Sequence, residues 1–174
     1  MSNTKSMSLL MKSNYTIFEH IFSKPKIKIF PKLEYLLKFN GIVKDNYKIS
    51  SCSAILYQNN VEIWNDSQFL GYDKSREYSK YMGLIIGLNK AMDLKINELI
   101  VESDCNSIIE QINGNEKVKL GCDYNELYNI SKDFKNRFKI IIFNAIEKKD
   151  NIDTLEMCEN NIQSIQLSVK SNRK

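Results

Sequence analysis

From Glu34 onward the chain alternates short apolar runs with longer stretches of helical spacing. Glu34 to Asn40, centred on Leu36-Leu37-Lys38-Phe39, reads as a first strand. Ser51 to Tyr57 and Val61 to Trp64 read as two more, and Gln58-Asn59-Asn60 between them supplies the asparagines that a tight hairpin turn favours. Across Ser75 to Leu94 the period changes, with Tyr81, Leu84, Ile85, Leu88 and Met92 forming the single apolar stripe of an amphipathic helix. Gly83 and Gly87, four positions apart, leave a shallow face where this helix lies close against a sheet. Glu98 to Glu102 is a fourth strand, and Asp104 to Asn113 a second helix ending at Gly114. A third helix is expected from about Tyr124 to Arg137, a fifth and largely buried strand from Phe138 to Asn144, and a last helix starting near Asp153. Three strands of antiparallel character, then alternating helices and strands, predict an α/β domain: one five-stranded mixed sheet with helices packed on it. The sequence shows no internal repeat and no second core.

The first 33 residues break this pattern. They are rich in Ser, Asn and Lys and hold both prolines, Pro25 and Pro31, which confine the strand-like Lys26-Ile27-Lys28-Ile29 to an edge. The predicted organisation is therefore a basic extension over 1–33, one domain over 34–168 and a short basic tail over 169–174. Net charge is +4, but the extension alone carries +5 and the body between the two tails carries −4. A basic footprint for nucleic acid thus comes from the tails, with Lys26 and Lys28 as phosphate contacts of an arm. A solvated tail and a targeting segment are the other readings of this extension. Its lack of arginine argues against a mitochondrial presequence.

The composition narrows the class of protein. A chain of 174 residues is long enough to bury one real core, and no apolar run approaches the roughly 20 residues of a membrane span. Cys52, Cys105, Cys122 and Cys158 are far apart, with no C-x-x-C pair and no signal peptide before them. They predict reduced thiols in an intracellular protein. With His20 as the sole histidine, the ligand spacing of a structural zinc site is missing.

Residues 104–114, Asp-Cys-Asn-Ser-Ile-Ile-Glu-Gln-Ile-Asn-Gly, followed by Lys117-Val118-Lys119, resemble the ribonuclease H family pattern D-S-x-x-[IV]-x-x-Q-[IVL]-x-G with its trailing K-V-K. Tyr81-Met82-Gly83-Leu84-Ile85-Ile86-Gly87-Leu88 is similar to the family helix from the tyrosine of A-E-Y onward. Phe39-Asn40-Gly41 stands where the family has F-D-G, and Ile152-Asp153-Thr154-Leu155 resembles the closing A-D-x-L. The resemblance covers about residues 35–163 in order. It implies a ribonuclease H-like fold and the family's reaction, hydrolysis of RNA in an RNA–DNA hybrid by two Mg²⁺ ions held by about four carboxylates.

Carried across residue by residue, the four carboxylate positions fall on Asn40, Lys80, Asp104 and Asp153, and the family's loop histidine on Asn144. The resemblance thus leaves Asp104 and Asp153 as residual metal ligands. Asp to Asn and Glu to Lys together make the centre more positive by three charges, which predicts that two-metal catalysis fails. Bland readings stand beside these. Asp104 and Asp153 each precede a helix, where an aspartate caps free amides, and Asp153-x-x-Glu156 has capping-box spacing. Lys80 is either a surface lysine or an ammonium that takes the place of a metal ion and holds a phosphate. Lys117, Lys119, Lys132, Lys135, Arg137 and Lys139 form a solvated face or a nucleic-acid rim. Trp64, Tyr57, Tyr72 and Tyr78 are either packing residues or stacking platforms for bases.

Three functions follow as expectations. The first is a catalytically inactive ribonuclease H-like module, with no cofactor, that binds nucleic acid (RNA–DNA hybrid or RNA) or serves as a scaffold for a protein partner. The second is an active Mg²⁺-dependent enzyme with displaced ligands, using Asp104 and Asp153 with Glu77 or Glu102. The third is a purely structural subunit.

Overall fold

The computed structural model describes residues 33–171, apart from 45 and 47. Lys26 and Lys28 lie outside the described residues. Five strands, β1 (Tyr35–Lys44), β2 (Ile49–Gln58), β3 (Val61–Tyr72), β4 (Glu98–Ser103) and β5 (Ile140–Ala145), form one sheet in the order β3-β2-β1-β4-β5. β1–β2 and β2–β3 pair antiparallel, whereas β1–β4 and β4–β5 pair parallel. Among the described residues four helices accompany them: α1 (Arg76–Asp93), α2 (Asn106–Asn113), α3 (Asn125–Lys135) and α4 (Ile152–Ser171), the last entered through a 3-10 turn at Lys148–Asn151. This is the mixed sheet with packed helices that the sequence pattern predicts. Among the described residues no helix is long and apolar enough to cross a membrane.

The alternation of the strands divides the helices between two faces. Leu37 and Phe39 of β1, Ala54 and Leu56 of β2, and Leu99 and Val101 of β4 join Tyr81, Leu84 and Leu88 of α1 and Ile108 and Ile109 of α2 in one buried core. The intervening residues point the other way, where α4 covers β1 to β3. Ser53 donates to the Thr154 carbonyl at 2.6 Å, and the Cys158 thiol lies 3.2 Å from its hydroxyl.

Glycines fix how α1 sits on the sheet. A Cβ added to Gly83 would lie 2.3 Å from the Asn40 carbonyl oxygen and 2.9 Å from that of Ser53, and one added to Gly41 would meet the backbone of Ser79 and Lys80 within 2.3 Å. These obstacles are backbone atoms, which have no rotamer to move into. Gly83→Ala is therefore expected to destabilise at the upper end of the roughly 1–3 kcal/mol that overpacking costs. A urea midpoint unchanged from that of the natural chain would contradict this packing.

Several boundaries differ from the sequence expectation. β1 continues to Lys44 and β3 to Tyr72, because pairing with β2 carries both past their apolar centres. The turn between β2 and β3 is made by Asn59 and Asn60 at φ 50° and 66°, as the asparagines suggested. β5 is not the largely buried strand expected. It is an edge strand, and of its residues only Phe143 is buried, while Ile142 is 40% exposed on the α4 side of the sheet, beyond the strands that α4 covers.

Candidate functional site

The site forms where the carboxyl end of β4 passes the middle of β1. Asn40 is buried, and its Nδ2 donates to Asp104 Oδ1 at 3.2 Å. Its Oδ1 accepts from the Gly41 amide at 2.8 Å and faces the Cys105 thiol at 3.6 Å. A second amide completes the cluster. Asn151, 1% exposed, donates from Nδ2 to Asp104 Oδ1 at 2.6 Å and to the Phe39 carbonyl at 3.0 Å. One carboxylate oxygen is thus held between two asparagine amides.

Asp104 does not cap α2 as expected. The cap position belongs to Cys105, and Ser103 Oγ, which itself donates to the Phe39 carbonyl at 2.7 Å, accepts from the Cys105 amide at 3.2 Å. With that amide satisfied by Ser103, the Asp104 side chain turns to the two asparagines.

Lys80 approaches from α1, where Gly41 packs against its backbone. Its charge is felt inside the cluster. Burial raises the Cys105 thiol to about 11, against the lowering pull of the hydrogen bond with Ser103 and the charge of Lys80.

The structure therefore brings together Asn40, Lys80 and Asp104, and adds Asn151, which sequence reasoning missed. Its signal was present as a phase. Asn151, Thr154, Cys158 and Ile162 recur at helical spacing and are all buried, so the residue facing the sheet where α4 opens is Asn151. Asp153 lies two positions on, exposed, and inside the first turn of α4 rather than at a cap. The Tyr57 phenol is raised by burial and then by the charge of Asp153, and no hydrogen bond joins Asp153 to Asp104 among the described residues. Asn144 stands within β5, not in a loop, exposed and in register with Glu102 of β4.

Glu77 points elsewhere. It lines a cleft of about 440 Å³ with Ser75, Gln111, Lys117, Lys119 and Tyr124, between the start of α1 and the loop before α3. The glycine contacts of α1 oppose the register shift that would turn Glu77 toward Asp104. Among the described residues, no three His, Cys, Asp or Glu side chains converge as a metal site.

The basic stretch divides into two parts. Lys132 lies over the Tyr128 ring, Lys135 donates to the Ile112 carbonyl at 2.9 Å, and Arg137 lies over Phe134. Lys117 and Lys119 are exposed on the loop after α2. Of the aromatic residues, Trp64 is half-buried beneath Lys90, Tyr78 lies under Lys74, and Tyr72 is 54% exposed.

This sheet order, with an acidic residue closing β4 and helices on both faces, is ribonuclease H-like. The chain belongs to the reverse transcriptase-like family, which matches residues 38–152. Among solved structures it is similar to the amino-terminal RNase H domain of a Mycobacterium tuberculosis protein, with 21% identity, 79% of this chain and 99% of that one covered, and a TM-score of 0.72. It is also similar to RNase H1 of the halophilic archaeon Halobacterium salinarum, with 13% identity, 75% and 98% coverage, and a TM-score of 0.69. LC11-RNase H1, solved in complex with an RNA/DNA hybrid, matches at 17% identity, 76% and 99% coverage, and a TM-score of 0.69. No curated protein sequence matches the chain significantly.

Proposed function

We propose that this chain is a ribonuclease H-like module that holds nucleic acid, an RNA–DNA hybrid or RNA, without cutting it. The observation that carries this reading is the Asn40–Asp104–Asn151 network. Two hard cations need several anionic oxygens between them. Here one carboxylate remains in the cluster, and its Oδ1 already accepts two amide protons. Lys80 compounds the mismatch, because it brings a positive charge to the cluster, and a cation beside a divalent ion repels it. The residues present do not fit a pair of Mg²⁺ ions. They suit a different task, in which Lys80 supplies the positive charge and meets a backbone phosphate as a point charge. The fold, shared with a relative seen on an RNA/DNA hybrid, supports the choice of partner.

The test is fluorescence anisotropy with a labelled RNA–DNA hybrid across a salt series, in the presence of Mg²⁺. The expected result is salt-dependent binding without cleavage, and Lys80→Ala should reduce the slope of log affinity against log salt by about one. An unchanged slope in Lys80→Ala, or cleavage by the natural chain, would overturn the proposal.

A further inference from the structure

Residues 114–124, between α2 and α3, have no regular structure and carry Lys117, Lys119 and the 95%-exposed Leu120. Val118, Cys122 and Tyr124 pack in or against the core, but residues 115–117 and 119–121 are exposed, so the shape of the lysine-bearing stretch depends on its ties. At its start, Gly114 takes a left-handed conformation, and Asn115 bonds back to Glu110 through both backbone and side chain. Its far end is closed by the first residue of α3. Asn125 Nδ2 donates to the Lys119 carbonyl at 2.7 Å, while its Oδ1 accepts from the Cys122 amide at 2.8 Å. Asp123 then anchors the loop to α1, its carboxylate accepting from Ser75 Oγ at 2.6 Å and from the Ser75 amide at 3.0 Å.

The Asn125 bonds require one short side chain with both a donor and an acceptor. Asparagine has both; aspartate has no donor, and serine is too short to span from Lys119 to Cys122. The amide holds the backbone of Lys119 itself, and therefore sets where that side chain leaves the loop. The neighbouring cleft also holds Glu77 and Glu116. Lys117 and Lys119 line that same cleft while remaining exposed, and a loosened loop would let them fold onto these acids instead of reaching a phosphate.

We infer that Asn125 is a positioning residue for a phosphate-contacting loop, fixing Lys117 and Lys119 for nucleic acid without touching it. The inference rests on the nucleic-acid-binding reading above. It is tested by hybrid binding across a salt series for the natural chain, Lys117→Ala/Lys119→Ala, Asn125→Ala and Asp123→Asn, together with the rate of tryptic cleavage after Lys117 and Lys119. The double lysine variant should lose about one unit of salt slope per lysine. Asn125→Ala, with both lysines present, should lose at least half of that slope and be cut several-fold faster in the loop. Asp123→Asn keeps the shape of the anchor while removing its charge, and should show a smaller change in the same direction. It also serves as the readout if Asn125→Ala melts too low to assay. Binding with a natural slope in Asn125→Ala, while the lysine variant loses its slope, would overturn the positioning role alone. Salt-independent behaviour of the natural chain would overturn the binding reading and this inference with it.

Discussion

Replacing Asn40 and Asn151 with aspartate and Lys80 with glutamate is expected to give a centre that cuts the RNA strand of a hybrid in Mg²⁺. The gain over the natural chain should be at least about a hundredfold, or ~2.7 kcal/mol of barrier. The three changes lower the net charge of the cluster by four, which offsets the charge that two magnesium ions bring. They also free Asp104 Oδ1 from the two amides that now occupy it. The double variant Asn40→Asp/Lys80→Glu should recover far less, because Asn151 would still donate to Asp104. Asp104→Asn in the triple background should abolish the gain. If the triple variant binds Mg²⁺ by calorimetry but leaves the hybrid intact, the frame has drifted beyond repair by these positions. If the natural chain cuts and Asp104→Asn stops it, the centre is active and the proposed function is wrong.

The parts of this fold that were legible in the sequence are those fixed by local chemistry. Asn59-Asn60 announces its turn because asparagine tolerates positive φ. The stripe from Tyr81 to Met92 and the glycines at 83 and 87 reveal both the helix and its close approach to the sheet. What was hidden depends on partners. Asn65-Asp66-Ser67-Gln68 has no strand signal of its own, yet it lies in β3 because β2 supplies its hydrogen bonds. The apolar run of β5 suggests a buried strand, and only the sheet order reveals an edge.

The site was half legible for the same reason. Asn40 lies on β1 and Asp104 directly follows β4, where position in the sequence determines position in space. Asn151 sits where a 3-10 turn runs directly into α4, so its direction depends on helical phase rather than on a motif. Matching by residue type points to Asp153, a carboxylate that is exposed. The buried stripe of Asn151, Thr154, Cys158 and Ile162 was a better guide than the letter D.

Asn40→Asp alone should destabilise the domain strongly, by about 3–5 kcal/mol at pH 7. Two carboxylates at hydrogen-bond distance repel by this much at an effective dielectric near 20, and the position is 4% exposed, so solvent offers little relief. The amide donor now 3.2 Å from Asp104 would become a second anion. The pH dependence follows from sharing one proton. In the folded state the pair holds that proton above the ordinary aspartate value of about 3.9. The folded state then binds more protons than the unfolded chain, so stability falls as pH rises from about 4 through the raised value. Below about pH 4 both states are protonated, and the deficit against the natural chain should vanish. Divalent cations offer a second route to relief, because an ion between the carboxylates binds the folded state alone. Thermal melts at pH 7 should therefore rise with millimolar Mg²⁺ in Asn40→Asp and stay flat in the natural chain. A variant as stable as the natural chain at pH 7 without Mg²⁺ would show that the Asn40 amide does not neutralise Asp104. Rescue by acid but not by Mg²⁺ would locate the obstacle to metal binding at Lys80 and Asn151 rather than at Asn40.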